Sequence, residues 1–246
     1  MTGAVLVLAK APVAGRAKTR LAPGVGADGA ADLAAAALLD TLEAGARAFP
    51  AGHRVLALAG DLADAVRGEE LRRAVTGWLV VPQAEGSFGV RLAAAHREAH
   101  RIVGGPVVQV GMDTPQASPE LLADLARTAR EAGAPLLGPA LDGGWWVLVT
   151  TRPDQADVLS GVPMSRPDTG RLTAAAMAAA GHPPLQGPTL RDVDEVEDAE
   201  AVAAEARDTR FARRWRELGA LAAQGAAQGV GDTSSTRNGN PSGQAS

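Results

Sequence analysis

The chain has 246 residues, with 24 Lys and Arg against 28 Asp and Glu, which gives a formal net charge of −4 at pH 7. This balance excludes a strongly basic protein that neutralises many nucleic-acid phosphates, and an aromatic content of 3% leaves few side chains for stacking on bases. The absence of cysteine excludes disulfide frameworks, thiolate zinc sites, iron–sulfur clusters and cysteine nucleophiles.

The chain begins with a short apolar run at residues 5–9 that follows no cationic segment. Such a run is too short for the apolar part of a signal peptide, and nowhere do apolar residues extend over the roughly 18 positions that a membrane helix needs. We therefore expect a cytoplasmic protein without a membrane span. Its hydrophobic content of 46% predicts a globular fold with a sizeable core.

Short Leu-rich and β-branched runs alternate with longer alanine-rich stretches from residue 3 to about residue 222. This alternation predicts one α/β domain, residues 1–223, with a mainly parallel sheet. The predicted strands are 4–9, 54–59, 78–81, 106–110, 134–139 and 145–149. The predicted helices are 28–49, 90–103, 119–132, 169–180, 196–206 and 211–223. Residues 224–246 are rich in Gly, Ser, Asn and Gln, and we expect them to form a disordered tail.

A basic loop follows the first predicted strand. Four cations fall within eleven residues, and Pro and Gly shape the loop between them; these cations are Lys10, Arg16, Lys18 and Arg20. Lysine supplies point charge and arginine a bidentate fork, so the loop suits a polyphosphate. A solvated basic loop explains the composition equally well, and the residues alone leave both interpretations open.

Aspartates stand where other predicted strands end. Asp113 lies between Gly111 and Pro115, a setting that suits either a ligand of a hard cation or a turn cap. Asp142 precedes Gly143 between two apolar runs, a pattern that predicts a hairpin turn. Further along, Asp192 and Asp194 point to the same side if their segment is extended, so they suit Mg²⁺ or Mn²⁺, although an acidic helix start fits as well.

Three other motifs are weak evidence for a dinucleotide site, a P-loop and a metal site. Residues 24–29 match the dinucleotide pattern G-x-G-x-x-G, but they follow a basic loop instead of a strand. Lys18-Thr19 lacks the glycines of a phosphate-binding P-loop. His96 and His100 are four residues apart on a predicted helix, yet no third metal ligand accompanies them, so we interpret them as a solvated or capping pair.

Taken together, five segments resemble a bacterial family of nucleotide-diphospho-sugar transferase-like proteins, glycosyltransferases related to the 2-phospho-lactate guanylyltransferases. The resemblance covers about residues 3–206, and its most specific segment is the loop after the first strand. The matching segments are PVAGRAKTRL (12–21), QAEGSFGVR (83–91), GMDTP (111–115), GPALDGGWW (138–146) and DVDEVED (192–198).

The resemblance implies a single Rossmann-like domain of the glycosyltransferase A type with a mainly parallel mixed sheet. It implies nucleotide or phosphate binding by a group of polar residues: Lys10, Lys18, Arg20, Gln83 and Arg91. It also implies that Asp113 and Asp194, with Asp192 as the alternative second ligand, hold Mg²⁺ or Mn²⁺. Lys18 and Asp142 are the implied catalytic residues, with Asp142 facing the acceptor as a candidate general base.

Several residues depart from the family pattern and would line or border the acceptor pocket: Met112, Trp145, Trp146, Met164 and Arg166. We therefore expect a nucleotide or nucleotide-sugar donor and a small-molecule acceptor of unspecified identity. The implied reaction is sugar transfer from a nucleotide-sugar. The alternative reaction joins a nucleoside triphosphate to a phosphorylated acceptor and releases pyrophosphate. A non-catalytic nucleotide-binding module is the third interpretation.

Overall fold

A seven-stranded sheet forms the centre of the molecule, in a computed structural model that describes residues 3–231 and their side chains through residue 223. The strands are β1 (Ala4–Lys10), β2 (Arg54–Ala59), β3 (Leu79–Pro82), β4 (Val107–Val110), β5 (Leu136–Pro139), β6 (Trp145–Thr150) and β7 (Leu185–Gln186). Their order in the sheet is β3-β2-β1-β4-β6-β5-β7. Only β6 runs antiparallel to its neighbours, which confirms a mainly parallel mixed sheet.

Helices cover both faces of this sheet. They are α1 (Ala22–Ala48), α2 (Gly68–Ala74), α3 (Phe88–Ile102), α4 (Pro119–Ala132), α5 (Thr169–Ala179), α6 (Val196–Glu205) and α7 (Arg210–Gly231), with a 3₁₀ helix at Pro153–Gly161. The sequence did not predict α2, the 3₁₀ helix or β7. The first and last of these have seven and two residues, too few to display a hydrophobic period.

The central strand β1 is buried on both faces. Its alternate residues enter different apolar clusters: Val5 and Val7 pack on the side of α1, whereas Leu6 and Leu8 pack on the side of α3. Burial on both faces explains why the strand reads as a continuous apolar run instead of an alternating pattern. The sheet thus lies between two helical layers.

Local signals set the ends of some helices. Ser118 caps α4, since its hydroxyl accepts a hydrogen bond from the Leu121 N–H at 3.1 Å, and Gly133 ends the helix in the left-handed region at φ 62°. In α1 the backbone breaks at Gly26 (φ 74°, ψ 166°), so the regular helix begins close to its predicted start at residue 28.

The last helix extends past the predicted end of the domain. We placed the start of the tail at residue 224, whereas α7 continues to Gly231. Alanine and glutamine, which dominate residues 222–228, have good helix propensity, and this local preference prolongs the helix. The rest of the predicted tail, residues 232–246, lies outside the described residues.

Helix α7 is attached to α1 by a buried carboxylate. The side chain of Asp40, 7% exposed, accepts hydrogen bonds from the backbone N–H groups of Arg210 (3.0 Å) and Phe211 (2.9 Å). It also accepts one from the Arg210 guanidinium at 3.3 Å. The first turn of α7 therefore obtains its cap from another helix, 170 residues away in the chain.

We expect Asp40→Ala to lower the free energy of unfolding by about 2 kcal/mol, because two helix N–H groups and one arginine lose their acceptor. Urea denaturation followed by circular dichroism measures the change. Asp28→Ala is the matched control, since Asp28 is an exposed aspartate of the same helix and we expect its replacement to change stability by less than about 0.5 kcal/mol. Equal effects of the two replacements would contradict the capping role of Asp40.

Candidate functional site

The carboxyl ends of several strands and the segment after β7 meet at one edge of the sheet. Strands β1 and β4 are parallel neighbours, so the basic loop and the residues after β4 begin side by side. Leu190 forms a bridge with Ala140, directly before the β5–β6 turn. The Val193 N–H donates to the Asp113 carbonyl at 2.8 Å. These contacts bring the predicted aspartates into one neighbourhood, at the edge where open α/β sheets bind their ligands.

Lys18 connects two of these segments. Its Nζ lies 2.5 Å from Oδ1 of Asp113 and donates to the carbonyl oxygen of Val193. The Lys18 side chain is 12% exposed and that of Asp113 is 42% exposed. Lys18, which the sequence links to phosphate binding, therefore connects the loop after β4 to the segment 190–194.

Asp192 is the carboxylate most strongly affected by its surroundings. Burial raises the pKa of Asp192 to about 6, and the negative charges of Asp142 and Asp113 act in the same direction. The Lys18 ammonium opposes this shift. Asp113 and Asp142 therefore lie within electrostatic range of Asp192, as does the Lys18 ammonium that pairs with Asp113.

Asp194 has a different partner. Its Oδ2 accepts a hydrogen bond from Nη1 of Arg20, whose side chain is largely exposed, whereas that of Asp194 is half-exposed. The sequence predicted that Asp113 and Asp194 share one cation, with Asp192 as the alternative. In the structure Asp194 forms an ion pair with Arg20, whereas Asp192 interacts electrostatically with Asp113.

Gln83 and Arg91 form a unit at the start of α3. The Gln83 amide donates to the carbonyls of Ala9 (2.9 Å) and Ala57 (3.0 Å), which ties together the ends of β1 and β2. Its Oε1 accepts from Nη1 of Arg91 at 2.8 Å, and the Arg91 guanidinium lies over the Phe88 ring, 5.1 Å from the ring centre. Gln83 therefore holds Arg91 in place through its own side chain.

Lys10 is exposed at the end of β1, and its ammonium donates to the Arg16 carbonyl at 3.3 Å. The contact keeps Lys10 next to the basic loop. Of the predicted phosphate-binding cations, Lys10 and Arg20 are exposed, whereas Lys18 is nearly buried.

Asp142 lies in the turn between β5 and β6, which pair antiparallel as the Asp-Gly signal predicted. Its Oδ1 accepts the Gly144 N–H at 2.7 Å. The turn also supports a distant segment, because the Gly170 N–H donates to the Gly143 carbonyl at 2.9 Å. A Cβ on Gly143, whose φ is 88°, would lie 1.8 Å from the Pro167 carbonyl oxygen, so only glycine fits there.

The segment 163–169, between the 3₁₀ helix and α5, borders this turn and was not recognised in the sequence as structured. Its backbone enters the left-handed region at Ser165 (φ 59°), which is unusual for a residue other than glycine. Thr169 stabilises it, because its hydroxyl donates to the Pro163 carbonyl and accepts from the Arg166 N–H. The Met164 side chain lies near the first turn of α3, since its terminal methyl would be 3.3 Å from a Cβ placed on Gly89.

Two predicted pocket residues lie in the core instead. Met112 and Trp146 are 8% and 4% exposed and belong to the main apolar cluster, and the Trp146 indole donates to the Pro188 carbonyl at 2.8 Å. Trp145 and Met164 are partly exposed, so they remain candidates for the acceptor side. Alternation along β6 places Trp146 and Trp145 on opposite faces of the sheet, where Trp145 is only partly buried.

The expectation of a solvated or capping histidine pair is wrong for His96. His96 is fully buried, with Nδ1 3.0 Å from Oγ1 of Thr150, and the same hydroxyl lies 2.8 Å from Nε2 of His100. Thr150 ends β6, which runs antiparallel, so the pair lies at the edge of the sheet opposite the aspartates.

In the part of the chain that the structure describes, no group of three or more His, Cys, Asp or Glu side chains is placed to hold a metal ion. Mg²⁺ and Mn²⁺ commonly take only one or two protein carboxylates together with phosphate oxygens and water, so a smaller set such as Asp113 and Asp192 is chemically compatible with these ions. The Lys18 ammonium bonds Asp113, so this carboxylate pairs with a positive charge in the structure. None of the described helices is long and apolar enough to cross a membrane.

Several solved structures with a similar fold carry transferase names. A provisionally named nucleotide-diphospho-sugar transferase from Desulfovibrio desulfuricans G20 is 28% identical, with a TM-score of 0.73 over 91% of this chain and 98% of that one. A cytidylyltransferase from Leptospira borgpetersenii is 12% identical (TM-score 0.52, 92% and 96% covered). A 2-C-methyl-D-erythritol 4-phosphate cytidylyltransferase from Thermus thermophilus is 17% identical (TM-score 0.50, 84% and 100%). The two cytidylyltransferases show a shared fold alone.

No curated protein matches the sequence. A family model described as "Uncharacterized protein conserved in bacteria (DUF2064)" matches residues 41–166, which contain the Gln83, Asp113 and Asp142 segments. The structural matches confirm the resemblance to nucleotide-diphospho-sugar transferase-like proteins and the single α/β fold. The chain belongs to the DUF2064 family.

Proposed function

We propose that this protein is a divalent-cation-dependent transferase that moves a sugar from a nucleotide-sugar to a hydroxyl of a small-molecule acceptor. The observation that supports the proposal is the Lys18–Asp113 ion pair at the carboxyl edge of the sheet, with Asp192 in electrostatic range of both members of this pair and of Asp142. The similarity to the Desulfovibrio protein, over nearly the whole of both chains, supports a nucleotide-diphospho-sugar as the donor class.

Cations of the basic loop and of α3 would bind the donor diphosphate. Arg20 is largely exposed and can exchange its bond with Asp194 for a bidentate bond to phosphate. Arg91 is held by Gln83 and by the Phe88 ring, so its guanidinium is oriented before any ligand arrives. Oriented cations stabilise the charge of a leaving diphosphate without reorganisation during the reaction.

Asp113 and Asp192 would hold Mg²⁺ or Mn²⁺ together with phosphate oxygens, and the ion would supply Lewis-acid stabilisation of the departing nucleoside diphosphate. Hydrogen bonds hold the backbone on both sides of Asp192. Gln116 donates to the Arg191 carbonyl at 2.6 Å, and the Val193 N–H donates to the Asp113 carbonyl. These bonds fix the segment that carries Asp192 relative to Asp113.

Asp142 would act as general base on the acceptor hydroxyl. The hydrogen bond from Gly144 orients its carboxylate, and the segment 163–169 packs against the same turn. The acceptor would bind beside this turn and that segment, where Trp145 and Met164 are partly exposed. A base fixed in a turn by its own backbone needs no further ordering when the acceptor binds.

Nucleotidyl transfer is the second candidate, because the fold is shared with cytidylyltransferases. In that reaction an acceptor phosphate attacks the α-phosphorus of a nucleoside triphosphate and pyrophosphate leaves. The same cations and carboxylates serve both reactions. The released product distinguishes them: a nucleoside diphosphate for sugar transfer, pyrophosphate for nucleotidyl transfer.

A thermal-shift panel of nucleoside diphosphates, triphosphates and nucleotide-sugars with Mg²⁺ tests the proposal. We expect one base series to stabilise the full chain by about 2.7 kcal/mol when the ligand is at 100 times its Kd. The corresponding free nucleoside is the control, and we expect it to stabilise much less because it lacks the diphosphate. If none of the nucleotides raises the melting temperature with Mg²⁺ or Mn²⁺, the proposed function is wrong.

A further inference from the structure

Three features distinguish Lys18 from the other cations of the basic loop. Its backbone lies in the left-handed region (φ 49°), its side chain is only 12% exposed, and its ammonium bonds both the Asp113 carboxylate and the Val193 carbonyl. A left-handed backbone at a residue other than glycine is unfavourable and persists only where surrounding contacts enforce it. The two bonds of the ammonium are such contacts.

The ammonium lies where the segments carrying two of the acidic residues meet. Asp113 supplies one side through its carboxylate, and Val193, which follows Asp192, supplies the other through its carbonyl. The negative charges of Asp113 and Asp142 act on Asp192, and Lys18 is the positive charge that opposes them. This environment favours positive charge at the position of Nζ, whether from an ammonium or from another cation.

We infer that Lys18 is a placeholder cation, which neutralises Asp113 while the site is empty and moves to the nucleotide phosphates when a divalent cation arrives. The inference rests on the proposed function, and it concerns how cation and nucleotide binding are coupled at that site. While the ammonium remains on Asp113, it repels a second cation there. A phosphate that attracts Lys18 away therefore strengthens cation binding, and by linkage the cation strengthens phosphate binding by the same factor.

This linkage makes a prediction that differs from that of a simple phosphate-binding lysine. Replacement of Lys18 should tighten the binding of a divalent cation in the absence of nucleotide, because Asp113 loses its competing ammonium. A lysine that only binds phosphate, at a distance from the cation, would leave this affinity unchanged. A lysine that only supports the site structurally would weaken it when replaced.

The test is a titration of the full chain with Mn²⁺ alone, with free Mn²⁺ followed by electron paramagnetic resonance. We expect Lys18→Met to bind Mn²⁺ at least tenfold more tightly than the unmodified protein. Lys18→Gly is the second variant, because glycine adopts the left-handed backbone without strain and should preserve the loop. Arg16→Met is the matched control: it removes one positive charge from an exposed residue of the same loop, and we expect less than a twofold change.

Unchanged or weaker Mn²⁺ binding in both Lys18 variants would overturn the inference, as would a control that tightens binding as much as they do. Absence of Mn²⁺ binding in all of these proteins would overturn it too. Because the titration contains no nucleotide, its result is separate from the thermal-shift panel. Nucleotide stabilisation together with unchanged Mn²⁺ affinity refutes the placeholder role and leaves the proposed function standing.

Discussion

Asp113→Asn should lower turnover of the nucleotide donor at least 1,000-fold and leave the fold intact. Asparagine keeps the size of the side chain but removes the charge that pairs with Lys18 and that would hold the cation. Electrostatic stabilisation of a leaving diphosphate is worth roughly 4 kcal/mol or more in a site of this kind, which corresponds to three orders of magnitude in rate. The measurement is kcat for release of nucleoside diphosphate or pyrophosphate at saturating Mg²⁺, with the donor identified by thermal shift.

Variants of two further aspartates identify the second carboxylate that would hold the cation. Asp192→Asn should cause a loss similar to that of Asp113→Asn, because Asp192 is the proposed second ligand of the cation. Asp194→Asn should cost no more than about tenfold, since Asp194 is half-exposed and pairs with Arg20. If the Asp194 variant loses more activity than the Asp192 variant, Asp194 is the second ligand, as the sequence first indicated. Retention of more than a tenth of the turnover by Asp113→Asn would contradict the role of Asp113.

The second large effect concerns stability in acid. His96 is fully buried, and burial lowers its pKa to about 3, with the neighbouring His100 acting in the same direction. In the unfolded chain the same ring has a pKa near 6.5 and takes up a proton below that pH. The neutral folded form therefore has its full stability above about pH 6.5 and loses stability as the pH falls toward 3.

We expect this single group to remove about 3 kcal/mol from the free energy of unfolding between pH 7.5 and pH 4. Urea denaturation at several pH values measures the loss. His96→Gln should be less stable than the unmodified protein at pH 7.5 but should show a smaller decline in acid. His53→Gln is the control: its ring lies elsewhere, 3.2 Å from the Gly3 carbonyl, and its replacement should leave the decline unchanged. Parallel declines in all three proteins would exclude His96 as the cause.

The amino-acid sequence determined the local architecture of this protein. The strand at 54–59 and the helix at 119–132 have the predicted bounds, because apolar runs, an N-cap serine and a terminal glycine act between neighbours in the chain. The same local patterns placed Lys18, Asp113 and Asp142 after strands, so the edge of the sheet that carries the candidate site followed from a general property of parallel sheets.

Only the tertiary structure decided the partners of these side chains. Lys18 bonds Val193 across 175 positions, and Arg20 bonds Asp194 across 174, so no local pattern distinguishes Asp192 from Asp194. Burial of His96 likewise depends on a strand 54 positions away. In the sequence Gly143 indicates a hairpin turn. The structure adds a second reason for glycine at this position, which is the close approach of Pro167. The partner of each side chain depends on which distant segments pack next to it and what charges they carry. These neighbours are determined only when the sheet and its helices pack together.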